Sequence, residues 1–267
     1  MKDSMRLRAG CDMTLEAPGP VPLIAMLRPR SGDAQWIVSE RYDFDPFTRA
    51  VEYVDVFGNL CQRMVAPKGD FRIRTEVVIE VDDFIAVSPG APPTPPDSLP
   101  AETLQFLLPS RYCPSDTFEK HARDAVGGAA AGYDQAEAIR AWIQEHIEYR
   151  YGVSTGSTSA ADTLKDGAGV CRDFSHIGLS MCRALRIPAR MVVGYLHRLD
   201  PMDLHAWFEA FIGGRWYTFD ATQKEPRGGR IAIAYGRDAA DVALITEFGA
   251  LKTKDMKVWV EVADALK

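Results

Sequence analysis

The residue types that could do chemistry in this chain are a cysteine, a histidine and an aspartate that lie far apart in sequence. Cys171 follows a glycine-rich stretch and opens a segment whose apolar residues recur at helical spacing. His205 and Asp220 lie in two strand-like segments on either side of Gly213-Gly214. A thiol, an imidazole and a carboxylate are the groups of a nucleophile, its base and the residue that orients the base.

The position of Cys171 suits a reactive thiol. A cysteine in the first turn of a helix lies near unpaired N–H groups and the positive end of the helix dipole, which favours the thiolate. Gly167 and Gly169 would allow close backbone approach and leave the Cys171 N–H free for a substrate oxygen. Asp173 opposes this, because a carboxylate in the same turn competes for the dipole. Taken alone, Cys171 is better explained as a buried structural cysteine, as expected for Cys182.

The hairpin that contains His205 and Asp220 favours a reactive thiol at Cys171 over a structural cysteine. A two-residue turn at Gly213-Gly214 pairs Trp207 with Asp220 and His205 with Thr222. Paired residues share a face, so the imidazole and the carboxylate are diagonal neighbours about 7–8 Å apart by backbone position. They can therefore hydrogen-bond, which leaves the second ring nitrogen for a thiol.

The other histidines are weaker candidates. His176 lies about 140° around the helix from Cys171, so we expect it to pack or hydrogen-bond away from the thiol. His197 is expected to be solvated at a strand end, and His121 and His146 to be exposed on helices. Closely spaced Cys or His pairs of the kind that bind zinc are missing, so we expect no metal and no cofactor.

The elements that must position these residues form two predicted units. Residues 1–87 are predicted to be a small antiparallel β domain, because residues 71–81 alternate apolar and charged side chains and Gly58-Asn59 marks a hairpin. Residues 88–100 are Pro-rich and form a linker or an ordered extended crossing. Residues 101–267 place helices before a run of strands, which indicates an α+β fold.

Two helices and three strands are predicted around Cys171, His205 and Asp220. The first helix would be capped by Asp134 and end at Gly152. The second would run from about Cys171 to the residues before Pro188. The strands would follow at ARMVVGYLH, LHAWFEAFI and RWYTFDAT, with later strands at RIAIAY and KVWVEVA.

Composition excludes several classes of protein. The 267 residues are 46% hydrophobic and 25% charged with a net charge of −6, which is unlike a basic nucleic-acid binder. No stretch approaches the roughly 18 apolar residues of a membrane span, and the start has no secretory apolar region. Five irregularly spaced cysteines do not form a disulfide framework. A cytoplasmic protein without nucleic-acid or membrane partners is expected.

Two sequence blocks resemble a known family. The blocks GVCRDFSHIGLSMCRALRIPARMVVGY and HAWFEAFIGGRWYTFDAT are similar to the transglutaminase-like superfamily, specifically its bacterial transglutaminase-like cysteine proteases. The resemblance covers most of residues 101–240. The earlier β part, with its DVFGN turn, resembles the N-terminal domain of those proteins, and GRDAADV resembles their tail. One departure is Asp220-Ala221-Thr222, where the family commonly has Asp-Pro-Thr.

The resemblance implies a papain-like core in which the nucleophile helix packs on an antiparallel sheet. It assigns Cys171 as nucleophile, His205 as base and Asp220 as orienting acid. The implied activity is hydrolysis of a peptide or protein carboxamide through a thioester. Amine transfer to that thioester, or a non-catalytic peptide-binding module that keeps the fold, are the alternatives. Tyr149 or Tyr151 could supply a second oxyanion donor, although a packing role is equally consistent with the sequence.

Overall fold

The N-terminal part of the chain forms two four-stranded antiparallel sheets. A computed structural model describes residues 4–32 and 34–263. The first sheet has the order β14-β1-β6-β3 and consists of β1 (Ser4–Ala17), β3 (Gln35–Asp45), β6 (Gly69–Asp82) and β14 (Lys252–Val262). The second has the order β13-β2-β5-β4 and consists of β2 (Val21–Arg28), β4 (Val51–Val54), β5 (Leu60–Ala66) and β13 (Ile245–Glu247).

The patterns predicted for this part are present. In β6, the apolar Phe71 and Ile73 are buried, whereas Arg72 and Arg74, which alternate with them along the strand, are exposed. Such alternation places one face of the strand in the core and the other in water. The hairpin predicted around Gly58-Asn59 is formed by β4 and β5, which pair antiparallel.

The last two strands of the described chain return to the N-terminal sheets. Leu7 in β1 pairs with Val262 in β14, and Leu23 in β2 pairs with Glu247 in β13. The division at residues 1–87, 88–100 and 101–267 stays a prediction. These pairings mean that the strands after residue 244 have their hydrogen-bond partners outside residues 101–267.

The remaining elements form the layer that carries the candidate site. The third sheet is antiparallel with the order β11-β10-β9-β12 and consists of β9 (Ala189–Leu196), β10 (His205–Ile212), β11 (Arg215–Phe219) and β12 (Arg230–Gly236). The helices are α1 (Glu119–Val126), α2 (Tyr133–His146), α3 (Ala160–Asp166) and α4 (Cys171–Ala184). Two short parallel strands, β7 (Glu148–Tyr149) and β8 (Ala168–Gly169), precede α4. Short 3₁₀ helices occur at Pro96–Ser98, Ala101–Leu107 and Ser115–Thr117.

Helix α4 lies directly on strand β10. A Cβ at Gly178 would lie only 2.4 Å from the Phe208 ring, so the missing side chain permits this close approach. Of the apolar stripe predicted for the helix, Phe174, Ile177 and Met181 are buried, whereas Val170 and Leu185 at its ends are half-buried. The predicted α+β fold, with the helix that begins at Cys171 packed on an antiparallel sheet behind a β-rich N-terminal region, is confirmed.

The predicted bounds of α2 are wrong at both ends. The helix is preceded by Gly132 rather than capped by Asp134, whose Oδ1 instead accepts the Gly90 N–H at 2.9 Å. The helix ends at His146, because the following residues pair as strand β7 with β8 instead of continuing the helix.

The Pro-rich segment 88–100 is an ordered crossing. The Ala91 carbonyl accepts the Tyr133 N–H at 3.0 Å, and the Thr94 hydroxyl accepts the Gly214 N–H at 3.0 Å. Gly132 has φ of +102°, and a Cβ there would lie 2.3 Å from the Ala91 carbonyl oxygen. The segment therefore packs on the start of α2 and on the turn between β10 and β11.

Candidate active site

The start of α4 is fixed by a capping aspartate. Asp173 is fully buried, and its Oδ2 accepts the Val170 N–H at 2.9 Å while its Oδ1 accepts Arg172 Nη2 at 3.0 Å. A Cβ at Gly169 would lie 2.7 Å from the Asp173 Cβ, so glycine permits this fold of the chain. The carboxylate that sequence reasoning set against a Cys171 thiolate is thus paired with Arg172 and bound to a backbone N–H.

Cys171 is the accessible thiol of the chain. It is half-buried at the first position of α4, and its N–H has no partner within the helix. The other four cysteines are buried. Burial raises the pKa of Cys113 and of Cys182 to about 12, and it also raises the pKa of Cys11 and Cys61. A thiol-directed reagent should therefore meet Cys171 first.

The predicted hairpin register is present and joins the histidine to the aspartate. Ile212 pairs with Arg215 and Phe208 pairs with Phe219, which is the register of a two-residue turn. His205 begins β10 and Asp220 directly follows β11. The His205 Nε2 lies 2.7 Å from the Asp220 Oδ2, and both side chains are buried.

Two neighbours determine the charge of His205. Burial alone lowers the pKa of the imidazole. The charge and the hydrogen bond of Asp220, together with the Cys171 sulfur as a further hydrogen-bond partner, outweigh burial and raise the pKa to about 9. Because Nε2 binds Asp220, Nδ1 is the nitrogen that remains for the sulfur. The structure thus brings together the three residues that sequence reasoning selected.

Asp220 is held by four donors. Its Oδ1 accepts the Thr222 N–H at 3.0 Å and the Thr222 hydroxyl at 2.7 Å. Its Oδ2 accepts His205 and also Arg230 Nη2 at 2.8 Å. Burial would raise the pKa of Asp220, but the charges of Arg230 and then His205 outweigh burial and hold that pKa well below its usual range.

Arg230 is the residue of this cluster that sequence reasoning missed. It begins β12, which lies beside β9, whereas Asp220 follows β11 at the other edge of the sheet. Its approach to Asp220 therefore depends on the order of the strands. Neither spacing nor local pattern in the sequence reports that order.

Of the two tyrosines considered as oxyanion donors, Tyr149 is the one beside Cys171. The pairing of Tyr149 with Gly169 brings it to the start of α4. Burial raises the pKa of Tyr149 well above its usual range, and the charge of Cys171 adds to this. Tyr151 instead contacts the Tyr149 ring edge-on at 5.5 Å between centroids.

The remaining histidines lie outside the cluster. His176 is fully buried, stacks on Tyr112 with 5.2 Å between ring centroids, and accepts the Ala239 N–H at 3.2 Å on Nε2, so its predicted packing and hydrogen-bonding role is confirmed. His121 and His146 are exposed as predicted, whereas His197 is half-buried rather than solvated.

The described residues contain neither a cluster of metal ligands nor a helix suited to a membrane. Within 4–32 and 34–263, no three His, Cys, Asp or Glu side chains cluster so that they could hold a metal ion. None of the helices in those ranges is long and apolar enough to cross a membrane.

Comparison with known proteins gives a consistent set of relatives. Residues 119–221, which contain Cys171, His205 and Asp220, match the family described as "Transglutaminase-like superfamily". Residues 21–82 match "Bacterial transglutaminase-like N-terminal region".

One solved structure and two mycobacterial proteins resemble most of the chain. A crystal structure from Cytophaga hutchinsonii, named a "putative cysteine protease", is 35% identical, covers 99% of this chain and 93% of that chain, and has a TM-score of 0.92. An uncharacterized protein of Mycobacterium leprae is 28% identical over 260 residues, 89% of this chain and 90% of that protein. An uncharacterized protein of Mycobacterium tuberculosis is 26% identical over 246 residues, 81% of this chain and 77% of that protein.

Proposed function

Because the chain belongs to the transglutaminase-like superfamily, we propose that it is a cysteine-dependent hydrolase of amide or peptide bonds. One observation carries the proposal. An accessible cysteine at a helix start contacts an imidazole whose other nitrogen is bound to a buried carboxylate. In this reading Cys171 is the nucleophile, His205 the acid and base, and Asp220 the residue that orients His205. The substrate is a carboxamide of a peptide or protein.

Acylation begins from the charged pair. A protonated His205 favours the thiolate of Cys171, which attacks the carbonyl carbon of the amide. The oxygen of the tetrahedral intermediate would accept the Cys171 N–H at the helix start, in exchange for the hydrogen bond that this N–H makes with Tyr149. His205 then gives its Nδ1 proton to the leaving nitrogen, the C–N bond breaks, and a thioester forms.

Deacylation restores the starting charges. Neutral His205 accepts a proton from water as that water attacks the thioester carbonyl. The C–S bond breaks, the carboxylic acid leaves, and Cys171 returns as a thiolate beside protonated His205. Asp220 stays ionised throughout, because its role is to hold the imidazole and stabilise its positive charge.

We assign the second contribution at the oxyanion to Tyr149. Its ring lies at the nucleophile and its hydroxyl stays protonated at neutral pH, because burial and the neighbouring Cys171 raise its pKa. A protonated phenol can donate to the developing oxyanion. Tyr149 is 42% exposed and lies beside Cys171, so it can contact substrate in either role.

The setting that we propose is the cytoplasm. All five cysteines are free thiols, and free thiols persist in a reducing compartment.

Selective alkylation tests the nucleophile. Iodoacetamide at pH 6 should label Cys171 faster than it labels free N-acetylcysteine, because an imidazolium partner activates a thiol toward such reagents. The labelling should be lost in His205→Ala. The matched variants are Cys171→Ala and Cys182→Ala on the same helix. The first should abolish both labelling and amide cleavage, and the second should retain both.

Mass analysis of the trapped acyl-enzyme tests the reaction. Incubation with a peptide library, followed by acid quench, should give an adduct on Cys171 whose mass identifies the acyl group. Release in water as a free acid supports hydrolysis, whereas a new amide formed only with added amine identifies transfer. Labelling of Cys171 at the rate of free N-acetylcysteine, with no adduct, would instead indicate a non-catalytic binding module.

A further inference from the structure

Arg230 is a buried cation whose only anionic contact among the described residues is Asp220. Its side chain is 7% exposed, and its Nη2 donates to the Asp220 Oδ2 at 2.8 Å. Its Nε donates to the Arg227 carbonyl at 2.9 Å, and its buried Nη1 has no hydrogen-bond partner among those residues. The guanidinium carbon lies 5.0 Å from the centre of the Trp207 ring.

The position of Arg230 supports a role at the His205–Asp220 pair. Arg230 and His205 donate to the same oxygen of Asp220, at 2.8 and 2.7 Å. With the charges proposed above, a thiolate at Cys171, an imidazolium and a carboxylate sum to −1 in a largely buried site. The guanidinium makes the sum zero, and a neutral cluster is far less costly to bury than a charged one.

The N-terminal sheets hold the segment that presents Arg230. The Asp82 carbonyl at the end of β6 accepts the Gly229 N–H at 2.9 Å. A Cβ at Gly228 would lie 2.0 Å from the Asp83 carbonyl carbon, so the two segments are in direct backbone contact. The residues just before Arg230 are therefore held by the end of β6, which belongs to the first sheet and not to the third.

Two side-chain amides extend this hold along β12. The Gln35 amide accepts the Ala232 N–H at 2.8 Å and donates to the Ala232 carbonyl at 2.9 Å. The Asn59 amide does the same for Tyr235, at 2.8 and 2.7 Å. Each amide takes the place of a neighbouring strand at the edge of the sheet.

We propose that Arg230 is a positioning residue of this site, whose guanidinium balances the buried charge of Asp220 and holds that carboxylate toward His205. It does so from a strand that the N-terminal β region keeps in place. The inference rests on the proposed function, because it assigns Arg230 to the reaction of the same three residues.

Few other titratable groups lie near Arg230 and Asp220. Arg230 and Asp220 line a small cleft, and its other titratable members are Tyr133, Glu137, Arg140 and Glu225. Arg140 and Glu137 form an ion pair of 2.7 Å, so their charges offset each other.

The test measures the titration of His205 directly. The imidazole nitrogens of ¹⁵N-labelled protein are followed by NMR over pH 5–11 in the wild type and in Arg230→Met. Removal of a positive charge raises the pKa of neighbouring groups, so the midpoint for His205 should move upward by about one pH unit from its starting value near 9. Arg230→Gln, which keeps a donor but no charge, should give the same shift. Arg230→Lys should stay near the wild type.

Arg190 provides a matched control. It is 15% exposed, pairs with Glu209 at 2.7 Å on β10, and stacks on aromatic rings, but it does not touch Asp220. Arg190→Met should therefore leave the His205 midpoint unchanged. A midpoint that stays in place in Arg230→Met would overturn the proposal, whereas a fall toward 6.5 would show that Asp220 turns away once the guanidinium is gone, which supports the holding role.

A double-mutant cycle separates positioning from general stability. In an Asp220→Asn background, Arg230→Met should shift the His205 midpoint much less than it does in the wild type, because the part of its influence that passes through the Asp220 carboxylate is gone. For an active preparation, Arg230→Met should lower kcat with little change in KM, since a more basic imidazolium gives up its proton less readily. The titration requires no turnover, so a protein without hydrolase activity would refute the proposed function while the Arg230 result could still be obtained.

Discussion

Two buried histidines of this protein have opposite charge behaviour. His176 is 0% exposed and His205 is 2% exposed, so both imidazoles are removed from water to the same degree. Burial, with Arg172 as the next contribution, lowers the pKa of His176 to about 3. The pKa of His205 is raised to about 9 despite equal burial.

The difference lies in what each ring contacts. His176 stacks on Tyr112 and accepts a backbone N–H from Ala239, and both contacts suit a neutral imidazole. His205 meets the Asp220 carboxylate at 2.7 Å and the Cys171 sulfur, which suit an imidazolium. Burial raises the cost of a charge, and the partner decides whether the charge is present. One histidine therefore belongs to the packing and the other to the proposed chemistry.

The largest expected effect comes from removing the charge of Asp220, because that carboxylate makes the pKa of His205 differ from that of His176. Asp220→Asn should lower kcat about 10³-fold and shift the His205 titration downward toward that of an unpaired histidine. Both oxygens of Asp220 accept hydrogen bonds, from Thr222 on one side and from Arg230 and His205 on the other. In either orientation the NH₂ of the asparagine therefore faces donors and loses those hydrogen bonds. Hydrolysis kinetics and NMR titration measure the two effects.

Glu209→Gln is the matched control for that substitution. Glu209 also pairs with an arginine on the same sheet and is 12% exposed, but it does not contact His205. Its change should leave kcat within about twofold of wild type, as expected for a site outside the cluster. Equal losses in both variants would mean that Asp220 has no special place in the reaction.

The alkaline pH dependence should be the next largest effect. His205 carries its proton below its pKa of about 9, so the acid that protonates the leaving amine is present below that pH and lost above it. We expect kcat/KM to fall about tenfold per pH unit above pH 9. A decline that begins near pH 6.5 would show that His205 titrates as an ordinary histidine.

The smallest effect is expected at the packing histidine. His176→Phe keeps the stack on Tyr112 but leaves the Ala239 N–H without its acceptor. The free energy of unfolding should fall by about 1–3 kcal/mol, while kcat per folded molecule stays unchanged. Urea unfolding and active-site titration measure these quantities. His176→Gln, whose amide oxygen can accept the same N–H, should lose less.

The same variants reveal the sign of the pH effect on stability. The folded pKa of His176, about 3, is below its unfolded value near 6.5, so the unfolded chain binds more protons between these values. The wild type should therefore lose stability relative to His176→Phe as pH falls below 6.5. His205 acts in the opposite direction, because its stabilising contribution is complete below pH 6.5 and lost as pH rises through about 9.

The sequence was sufficient where the geometry is local. The turn at Gly213-Gly214, with φ of +56° and +84°, sets the register of its two strands, and the register places His205 and Asp220 on one face. Likewise, the apolar period of α4 fixed which side of the helix packs inward, and hence where its first residue lies.

Sequence reasoning failed where distant segments meet. Arg230 approaches Asp220 only because β12 lies beside β9, a matter of strand order that no local pattern contains. The end of α2 was misplaced because Glu148–Tyr149 are recruited by β8, and this tertiary pairing overrides the helical period.

The pairing of β1 with β14 has a consequence for how the molecule is made. Leu7 in β1 pairs with Val262 in β14, the last of the described strands to be synthesised. The first sheet therefore lacks β14 until nearly the entire described chain has left the ribosome. Contacts of such long sequence separation slow folding and leave an open strand edge during synthesis. Cells that make this protein would therefore benefit from a chaperone that shields β1 until its late partner arrives.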